Sequence, residues 1–328
     1  MEVLVTGANG FIGSTLCEAL IKRNYKVRGL VRKTSDLRFV QDLDIELVCA
    51  DLSDKHSLAK ATKGVDIVYH IAALVNDWGS LKLFREMNVE GTRNILEAAV
   101  SSKVKRFVYV STLVVHSFLD KTDMTEESPV TPPPFPYCIS KKEAEEVVME
   151  FYVRYKLPIT IIRTGDVIGP KDRTFFLKMV KALERGIIPY LNQGRSLFAF
   201  TYVENLVDGI ILAGNSEKAI GQTYVITDGI KITWKEFFDM LTKEMGVPKP
   251  FFSVSSKIIY PLAFFLEIAY KLLGIKQRPP VTRYMISHAE KNVHFSIEKA
   301  RRELNYQPRI SLIEAIRRMV EWYRTYKP

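Results

Sequence analysis

The stretch that decides the fold is residues 3–13, which read Val-Leu-Val-Thr-Gly-Ala-Asn-Gly-Phe-Ile-Gly. An apolar run leads straight into a turn with glycines three residues apart (Gly7, Gly10 and Gly13), and a helical pattern from about 12 to 23 follows. In such a turn the first glycine takes the tight bend, the second lets the backbone approach a pyrophosphate, and the third lets the helix pack against the strand. The free N–H groups at the helix start favour phosphate. The stretch predicts a dinucleotide site, and the alternative is an ordinary flexible turn.

Short β-branched runs alternate with helical segments over the first half of the chain, which predicts an α/β fold with a doubly wound parallel sheet. We expect a dinucleotide-binding domain over 1–164, with later returns to the sheet near 198–213 and 222–227. Residues 165–328 are expected to form mainly a smaller, mostly helical substrate-binding cap. The predicted strands are 3–6, 26–31, 45–49, 67–70 and 106–111.

The end of the second predicted strand indicates which dinucleotide binds. An acid about 20 residues past the glycines bonds a ribose 2′-hydroxyl, whereas an arginine accommodates a 2′-phosphate. The sequence here is Leu-Val-Arg-Lys-Thr-Ser over 30–35, and no acid occurs before Asp36. Arg32 and Lys33 therefore predict NADP(H) as the preferred cofactor, with NAD(H) as the alternative.

Composition limits the function classes. The 328 residues are 47% hydrophobic, enough to bury a large core, and 47 basic against 37 acidic side chains give a net charge of +10. The basic excess is spread along the chain and shows no nucleic-acid-binding motif. Three cysteines and five histidines show no metal-ligand or disulfide spacing, so we expect no metal site and a reducing, cytoplasmic location. Because the first strand begins almost at Met1, we expect no cleaved signal peptide.

Hydroxyl and amine side chains occur at spacings that suit catalysis. Ser111 and Thr112 end the fifth predicted strand, and Tyr137 and Lys141 are four residues apart, on one face of a predicted helix. Asp51 follows the third strand, where it could accept from an adenine amino group or cap the next helix. Asn88 lies inside a long predicted helix over 81–102, where a buried asparagine needs a partner.

In this order, these motifs resemble the extended short-chain dehydrogenase/reductase superfamily over nearly the whole chain. Residues 200–206 and 295–308 resemble the 3β-hydroxysteroid dehydrogenase branch, whereas residues 27–32 resemble the dihydroflavonol reductase branch, whose cofactor is NADP. The motifs are Thr6-Gly7…Gly10…Gly13, Asp51-Leu52, His70…Ala72-Ala73, Asn88…Gly91-Thr92, Ser111-Thr112, Tyr137…Lys141 and Arg163…Gly165…Ile168-Gly169-Pro170.

The resemblance implies a Rossmann-type fold and hydride transfer between a nicotinamide and a secondary alcohol or ketone. Tyr137 would move the proton, Lys141 would lower the pKa of Tyr137 and bond the nicotinamide ribose, and Thr112 would hold the substrate oxygen. The implied cofactor-binding residues are Gly7, Asn9, Gly10, Phe11, Ile12, Gly13, Arg32, Lys33, Asp51, Leu52, Ala72, Ala73, Asn88, Ser111, Tyr137, Lys141 and Arg163.

Three functions remain open. The first is an NADP(H)-dependent oxidoreductase acting on an apolar, steroid-, isoprenoid- or flavonoid-like substrate. A nucleotide-sugar epimerase with retained NAD(P) needs only the tyrosine and lysine, and a non-catalytic NADP-binding regulatory protein would need neither. A dehydratase is disfavoured, because apolar residues and not acids follow Thr112.

The second half offers candidate contacts to substrate and partners. Candidate pocket walls are Asp172, Arg173, Phe175, Phe176 and 190–191. Residues 258–275 form the most apolar run, which Pro261, Glu267 and Lys271 interrupt, so it does not predict a membrane-spanning helix. It predicts either a buried cap helix or homodimer contact, or an amphipathic helix over 256–278 that rests on a membrane.

Overall fold

A seven-stranded parallel sheet forms the centre of the protein in the computed structural model, which describes residues 1–118 and 120–326. The last two residues of the predicted cap, Lys327 and Pro328, lie outside the described part of the chain. The strands are β1 (Glu2–Thr6), β2 (Lys26–Val31), β3 (Glu46–Cys49), β4 (Ile67–His70), β5 (Arg106–Thr112), β6 (Lys121–Met124), β7 (Ile159–Thr164), β8 (Asp166–Ile168), β9 (Tyr190–Leu191), β10 (Leu197–Phe198), β11 (Phe200–Tyr202), β12 (Thr223–Ile226), β13 (Ile232–Thr233), β14 (Ser253–Val254) and β15 (Val293–Phe295).

Helices cover both faces of this sheet, and further helices belong to the second half of the chain. They are α1 (Phe11–Ile21), α2 (Lys55–Thr62), α3 (Leu81–Phe84), α4 (Gly91–Ser101), α5 (Pro136–Tyr155), α6 (Phe176–Glu184), α7 (Val203–Asn215), α8 (Trp234–Met245), α9 (Ser256–Leu272), α10 (Arg283–Ala289), α11 (Glu298–Leu304) and α12 (Leu312–Thr325). The strand order is β12-β7-β5-β4-β1-β2-β3, and every pair is parallel. The predicted doubly wound sheet is confirmed, and the five predicted strands match the observed bounds to within one residue.

The core explains why the central strands read as continuous apolar runs. Every residue of β4, β5 and β7 is buried, because helices pack on both sides of them. Leu16 of α1 and Ile210 of α7 belong to the apolar cluster on one face, and Ile95 of α4 and Val148 of α5 belong to the cluster on the other. Burying a side chain of this size contributes about 1.5–3 kcal/mol.

The strand order reverses between β1 and β4, and this is where a crevice opens at the carboxyl edge of a doubly wound sheet. The Thr6 hydroxyl, at the end of β1, accepts hydrogen bonds from the backbone N–H groups of Ile71 and Ala72, both at 3.1 Å. It also bonds the His70 ring nitrogen Nδ1 at 2.7 Å. These bonds fix the loop after β4 against the end of β1, so the two walls of the crevice are held together.

The second half departs from the prediction in one respect. Its helices are accompanied by strands of two or three residues that pair as separate two-stranded sheets, such as β8 with β11 and β10 with β13. Their core is aromatic: Phe198 stacks on Trp234 with ring centroids 4.0 Å apart, and Phe237 packs edge-on against Phe198. Elements this short carry too few residues to show a period in the sequence.

The predicted helix over 81–102 is helical from Leu81 to Ser101, but residues Arg85–Glu90 between α3 and α4 form a π-helical segment. One extra residue per turn shifts the face that side chains present, and such segments often occur at functional sites. Asn88 lies inside this segment and is buried. The change in helical geometry there accounts for a buried asparagine in the middle of the helix.

The glycine turn generates a stability prediction. A β-carbon at Gly13 would lie 2.8 Å from the Gly7 carbonyl carbon and closer still to its oxygen, whereas one at Gly10 would lie 3.2 Å from that oxygen. We expect Gly13→Ala to lower the free energy of unfolding by about 1–3 kcal/mol, because α1 must move away from β1. Gly10→Ala is the matched control and should cost less in urea unfolding. Equal losses would show that the close approach at Gly13 is not limiting.

Candidate active site

The glycine loop has the geometry of a phosphate cradle. Gly7 has φ +67°, and a β-carbon there would lie 3.1 Å from the backbone of Ala72. The amide of Gly10 donates to the Gly7 carbonyl at 3.0 Å, and no side chain caps the start of α1. The first N–H groups of an uncapped helix are free to bind a ligand, and the helix dipole favours an anion. These features fit the pyrophosphate of a dinucleotide.

Two basic side chains stand beside this cradle, at the end of β2. Arg32 and Lys33 are exposed, and the Ser35 hydroxyl accepts from the Arg32 amide at 3.0 Å, which fixes the backbone of the turn. The first acid after the strand, Asp36, is paired with Arg38 at 2.8 Å and with Arg173 at 2.7 Å. Hydrogen bonds from these two arginines hold the pKa of Asp36 at about 2, so its carboxylate is already engaged by protein cations.

The ends of β1 and β3 supply the other predicted contacts near the adenosine side. The Asn9 amide donates to the Asp36 carbonyl at 3.3 Å. Asp51 accepts from the amide of Ser53 at 2.9 Å and from its hydroxyl at 2.7 Å, and these bonds lower the pKa of Asp51. Asp51 is not the cap of α2, since Asp54 caps that helix. The alternative that Asp51 caps the following helix is therefore wrong, and its second oxygen has no hydrogen bond to the described residues.

Asn88 orients the loop after β4. Its side-chain oxygen accepts from the amide of Leu74 at 2.7 Å, and its nitrogen donates to the Leu74 carbonyl at 3.1 Å and to the Ser140 hydroxyl at 3.0 Å. Ala72 and Ala73, the two small predicted contacts, lie in this loop and are partly exposed. Leu52 is held differently, by a hydrogen bond from the Asn94 amide to its carbonyl at 2.8 Å. Hydrogen bonds within the protein thus hold these residues in place, and Asn88 joins the loop after β4 to α5.

The structure brings Thr112 and Tyr137 near each other, although they are 25 positions apart in sequence. Tyr137 lies in the first turn of α5 and is buried, and Thr112 ends β5. Burial raises the pKa of the Tyr137 phenol, and the nearby Thr112 hydroxyl opposes that shift. The Ser111 hydroxyl is buried with no hydrogen-bond partner in the described part of the chain. A phenol, a threonine hydroxyl and an unpartnered serine hydroxyl thus lie at the carboxyl edge of the sheet.

Lys141 is buried one helical turn after Tyr137. Its ammonium nitrogen donates to the Val110 carbonyl at 2.9 Å and lies 4.3 Å from the centroid of the Tyr109 ring. Burial lowers the pKa of Lys141 to about 7, and the carboxylate of Glu145 opposes this shift. The expectation that Lys141 lowers the pKa of Tyr137 is not met in this structure, because the amine is turned to the strand carbonyl and the phenol's pKa is raised.

Arg163 does not have the predicted role of a cofactor contact. It is buried, and its guanidinium pairs with Glu145, with nitrogen–oxygen distances of 2.6 and 3.0 Å. The remaining terminal nitrogen lies 3.0 Å from the His116 ring nitrogen and donates to the Glu126 carbonyl at 3.2 Å. All three nitrogens of Arg163 are engaged inside the protein. We assign it to a buried ion-pair network that holds Glu145, and Glu145 in turn lies one turn of α5 from Lys141.

An apolar wall faces Tyr137 that the sequence did not indicate. Val114, Phe118, Phe135 and Tyr284 belong to one cluster with the tyrosine. Phe118 and Phe135 lie 6.1 Å apart, and each packs edge-on against Tyr284 of α10, at 5.7 and 5.4 Å. We call these three residues the aromatic wall. They come from three separate segments, so only Phe135, two positions before Tyr137, stood close enough in sequence to be suspected.

His288 and Asp166 form a polar pair at the edge of the aromatic wall. Nε2 of His288 lies 3.2 Å from Oδ1 of Asp166, and the ring of His288 is stacked parallel to Tyr284. Burial raises the pKa of Asp166, and His288 opposes this. Neither residue was predicted, although Tyr284 and His288 stand four positions apart, as residues on one helical face do.

Most of the predicted pocket walls lie elsewhere. Asp172 is buried and accepts from the backbone amides of Phe175 and Phe176, which lead into α6, and Phe176 is fully buried in the core. Arg173 pairs with Asp36 on the cofactor side. Tyr190 donates to Asp239 at 2.9 Å. Among the aromatic candidates, Phe175 is exposed, and it packs edge-on against Trp234, whereas Phe176 and Tyr190 are buried. No group of three or more metal-ligating side chains occurs within residues 1–118 and 120–326.

The buried amine predicts a specific pH dependence of stability. The pKa of Lys141 is about 7 in the folded protein against 10.5 for the free group, so the unfolded chain binds more protons between these pH values and stability rises with pH across that window. Below pH 7 the cost is complete, on the order of a few kcal/mol. We expect Lys141→Met to raise the melting temperature of the cofactor-free protein at pH 7, with the gain shrinking toward pH 10.5.

The control for this measurement is Lys142→Met, at a neighbouring position whose amine pairs with Glu146 near the surface. It should leave the pH dependence of melting unchanged. If Lys141→Met melts at or below the wild-type temperature at every pH, burial of the Lys141 amine does not lower the stability of the protein as predicted.

Comparison with known proteins places this geometry in a family. The model of the NAD dependent epimerase/dehydratase family matches residues 3–227. The chain is 28% identical, over 97% of its length and 98% of the relative's, to a 2-alkyl-3-oxoalkanoate reductase of Stenotrophomonas maltophilia. It is 30% identical, over 99% of its length and 80% of the relative's, to 3beta-hydroxysteroid-dehydrogenase/decarboxylase isoform 1 of Arabidopsis thaliana.

The fold is shared with solved enzymes as well. The structure of the dTDP-glucose 4,6-dehydratase DesIV from Streptomyces venezuelae, with NAD and TYD bound, matches with a TM-score of 0.79 at 27% identity and covers 99% of this chain and 97% of that one. The glycine loop, the tyrosine and lysine of α5 and these likenesses agree over nearly the whole length. The chain belongs to the NAD dependent epimerase/dehydratase family, as an extended short-chain dehydrogenase/reductase of the 3β-hydroxysteroid dehydrogenase-like branch, and is an NAD(P)-dependent enzyme acting on CH–OH groups.

Proposed function

We propose that the protein is an NADP(H)-dependent oxidoreductase that interconverts a secondary alcohol and a ketone on an apolar substrate. The observation that carries the proposal is the position of Tyr137, which is buried in a cluster against which the aromatic wall packs and lies near the Thr112 hydroxyl. A substrate oxygen held between the two hydroxyls would have its hydrocarbon part against aromatic rings. Apolar side chains around a few convergent polar groups are typical of sites for small apolar ligands.

Each residue of the site has a separate task. The nicotinamide cofactor supplies or accepts the hydride when it is bound. Because burial raises the pKa of Tyr137, its phenol is protonated at neutral pH and can donate the proton to a ketone oxygen, which suits reduction. Thr112 donates a hydrogen bond to the same oxygen. For alcohol oxidation the phenolate is required, and positive charge nearby favours it.

Lys141 contributes charge and position. With a pKa of about 7 in the cofactor-free protein, the amine is near its midpoint at neutral pH, and an approaching anionic dinucleotide favours the charged form. The ammonium can then bond the ribose of the cofactor, as the resemblance implies. The Glu145–Arg163 pair supports this arrangement, since the Glu145 carboxylate raises the pKa of Lys141 from the opposite side.

The proposal of an apolar substrate has support from two sides. Thr112 is followed by Leu113, Val114 and Val115, which are buried, and Val114 contacts the cluster around Tyr137. Members of the family that dehydrate nucleotide sugars would need acids at this point to move protons on the sugar. The two relatives reported above are named as an alkyl-oxoalkanoate reductase and a hydroxysteroid dehydrogenase, and both names describe substrates with large hydrocarbon parts.

The preference for NADP(H) is supported by the charges at the end of β2. Arg32 and Lys33 present two exposed cations beside the cradle, and the first acid after the strand, Asp36, is paired with Arg38 and Arg173. A 2′-phosphate would meet positive charge there, whereas a ribose 2′-hydroxyl would lack a free carboxylate partner. The same arrangement admits NAD(H) with lower affinity.

An epimerase that uses the same tyrosine and lysine is the second candidate, because a structural relative is named as an enzyme of the nucleotide sugar dTDP-glucose. A sugar nucleotide needs polar contacts around its hydroxyl groups, whereas the aromatic wall offers His288 and Asp166 only at its edge. The two functions differ in how the cofactor is used. Release of cofactor and stoichiometric NADPH consumption at 340 nm with a hydrophobic ketone would support the oxidoreductase, and retention through purification would support the epimerase.

The proton donor is tested by Tyr137→Phe. This change removes the phenolic hydroxyl and keeps the ring in its cluster, so we expect kcat to fall by a factor of about 10² or more, while the Kd for NADPH, measured by fluorescence titration, changes less than twofold. Tyr284→Phe is the matched control, since its ring faces the same cluster. Full activity in Tyr137→Phe would remove the phenol from the mechanism.

Cofactor choice is tested by Arg32→Ala. We expect the Kd for NADPH to rise about tenfold or more while the Kd for NADH changes little, because a phosphate contact is worth more than 1.4 kcal/mol. Arg195→Ala, which removes an exposed arginine paired with Gln193, controls for the change in net charge. Equal losses for both cofactors would show that Arg32 does not bind the 2′-phosphate.

A further inference from the structure

The largest set of exposed apolar side chains in one element lies on α9. Ile258, Leu262, Phe265, Leu272 and Leu273 are 74, 57, 66, 83 and 73% exposed. The spacings of four, three and seven residues place Ile258, Leu262, Phe265 and Leu272 on one face of the helix, and Leu273 follows directly at its C-terminal end. We call these five residues the outer stripe. Exposed apolar patches of this kind mark contact with a protein or a membrane.

The opposite face of α9 is tied to the protein. Ala263 and Glu267 are buried, and Glu267 accepts from the Arg283 backbone at 2.7 Å and from its guanidinium at 2.8 and 2.9 Å. Trp78, in the loop after β4, packs edge-on against Tyr270. The helix therefore has a fixed orientation, and the outer stripe is directed away from the rest of the described chain.

The charges around the outer stripe have one sign. Between residues 250 and 278 the single acid is Glu267, which is buried and paired, while Lys257, Lys271 and Lys276 are exposed. A second copy of this chain, with a net charge of +10, would bring like charges together at the same surface. Anionic headgroups are the complementary partner, since each nearby lysine is worth about 1 kcal/mol at such a surface.

We propose that α9 docks the protein on an anionic lipid surface, with the outer stripe in the acyl boundary and Lys257 and Lys276 among the headgroups. The Lys271 ammonium lies on the other side of the helix, 5.7 Å from the centroid of the Trp78 ring. No helix within the described residues is both long and apolar enough to cross a bilayer, and an in-plane helix needs neither property. The helix also adjoins the site. α10, which Glu267 holds through Arg283, carries Tyr284 of the aromatic wall, and Asp77 in the loop after β4 pairs with Arg278 at 2.8 Å.

This arrangement gives the lipid surface a role in access. α9 is joined to α10, which carries Tyr284 of the aromatic wall, and to the loop after β4, whose Trp78 packs against Tyr270. An apolar molecule dissolved in the bilayer would meet the protein at α9 and pass along α10 to the aromatic wall without entering water. This consequence rests on the proposed function, whereas the docking itself does not depend on turnover.

The test is flotation of the full chain with vesicles, compared between phosphatidylcholine alone and an equal mixture of phosphatidylcholine and phosphatidylglycerol. We expect binding to the mixed vesicles, and at least a tenfold lower partition coefficient for the variant Leu262→Ser, Phe265→Ser, Leu272→Ser. The variant Val153→Ser, Ile313→Ser removes two exposed apolar side chains from α5 and α12 and should float as the wild type does. Lys257→Glu with Lys276→Glu should remove the preference for phosphatidylglycerol.

Folding of each variant is checked by its circular dichroism spectrum and its Kd for NADPH, so that loss of flotation is not loss of structure. Failure of the wild type to float with either vesicle overturns the proposal. So does a wild-type dimer in sedimentation that the triple serine variant converts to a monomer, since the outer stripe would then be a contact between two copies. Because flotation needs no substrate, an inactive but floating protein would overturn the proposed function and leave the docking intact.

Discussion

The approach of the Gly13 backbone to the Gly7 carbonyl is the contact on which the rest of the site depends. It lets α1 begin directly above the end of β1, so that the free N–H groups of the helix point into the crevice. The Thr6 hydroxyl then binds the loop after β4 to the same place. A side chain at Gly13 would separate helix from strand, and the crevice, the cradle and the position of Ala72 would all change with it.

The site contains two titratable groups whose pKa values are shifted because they are buried. An amine with a pKa of about 7 and a phenol with a raised pKa sit within one turn of α5. Both shifts have burial as their largest cause, and the Thr112 hydroxyl and the Glu145 carboxylate only oppose them. The Lys141 amine lowers stability at neutral pH, whereas the Tyr137 phenol stays neutral there and adds no such cost, so stability is lost where a charge must be held near the cofactor. The Arg163–Glu145 pair keeps this part of α5 fixed.

The side of the site that faces the substrate is assembled from elements that have little in common except position. The aromatic wall combines a residue after β5, one before α5 and one from α10. The same α10 is bound to α9 through Arg283 and Glu267, so the aromatic wall and the exposed apolar helix are directly connected. In our proposals both the substrate and the docking surface are apolar. The helices α9 and α10 connect the surface that meets the membrane with the residues that contact the substrate.

The sequence alone determined the sheet, the glycine turn, the family resemblance and the tyrosine and lysine, because each depends on local periodicity or on spacing within one element. It also placed α9, since an apolar run is visible without coordinates. The tertiary structure decided what depends on contacts between distant segments. Arg163 was expected at the cofactor and lies in a buried ion pair, because Glu145 and His116 come from other elements. Asp172 binds the backbone before α6, and Phe118, Tyr284 and His288 reach the site from segments up to 170 residues apart. Which way a side chain points, and whether a charge finds a partner, is set by packing across the chain, and no local pattern records it.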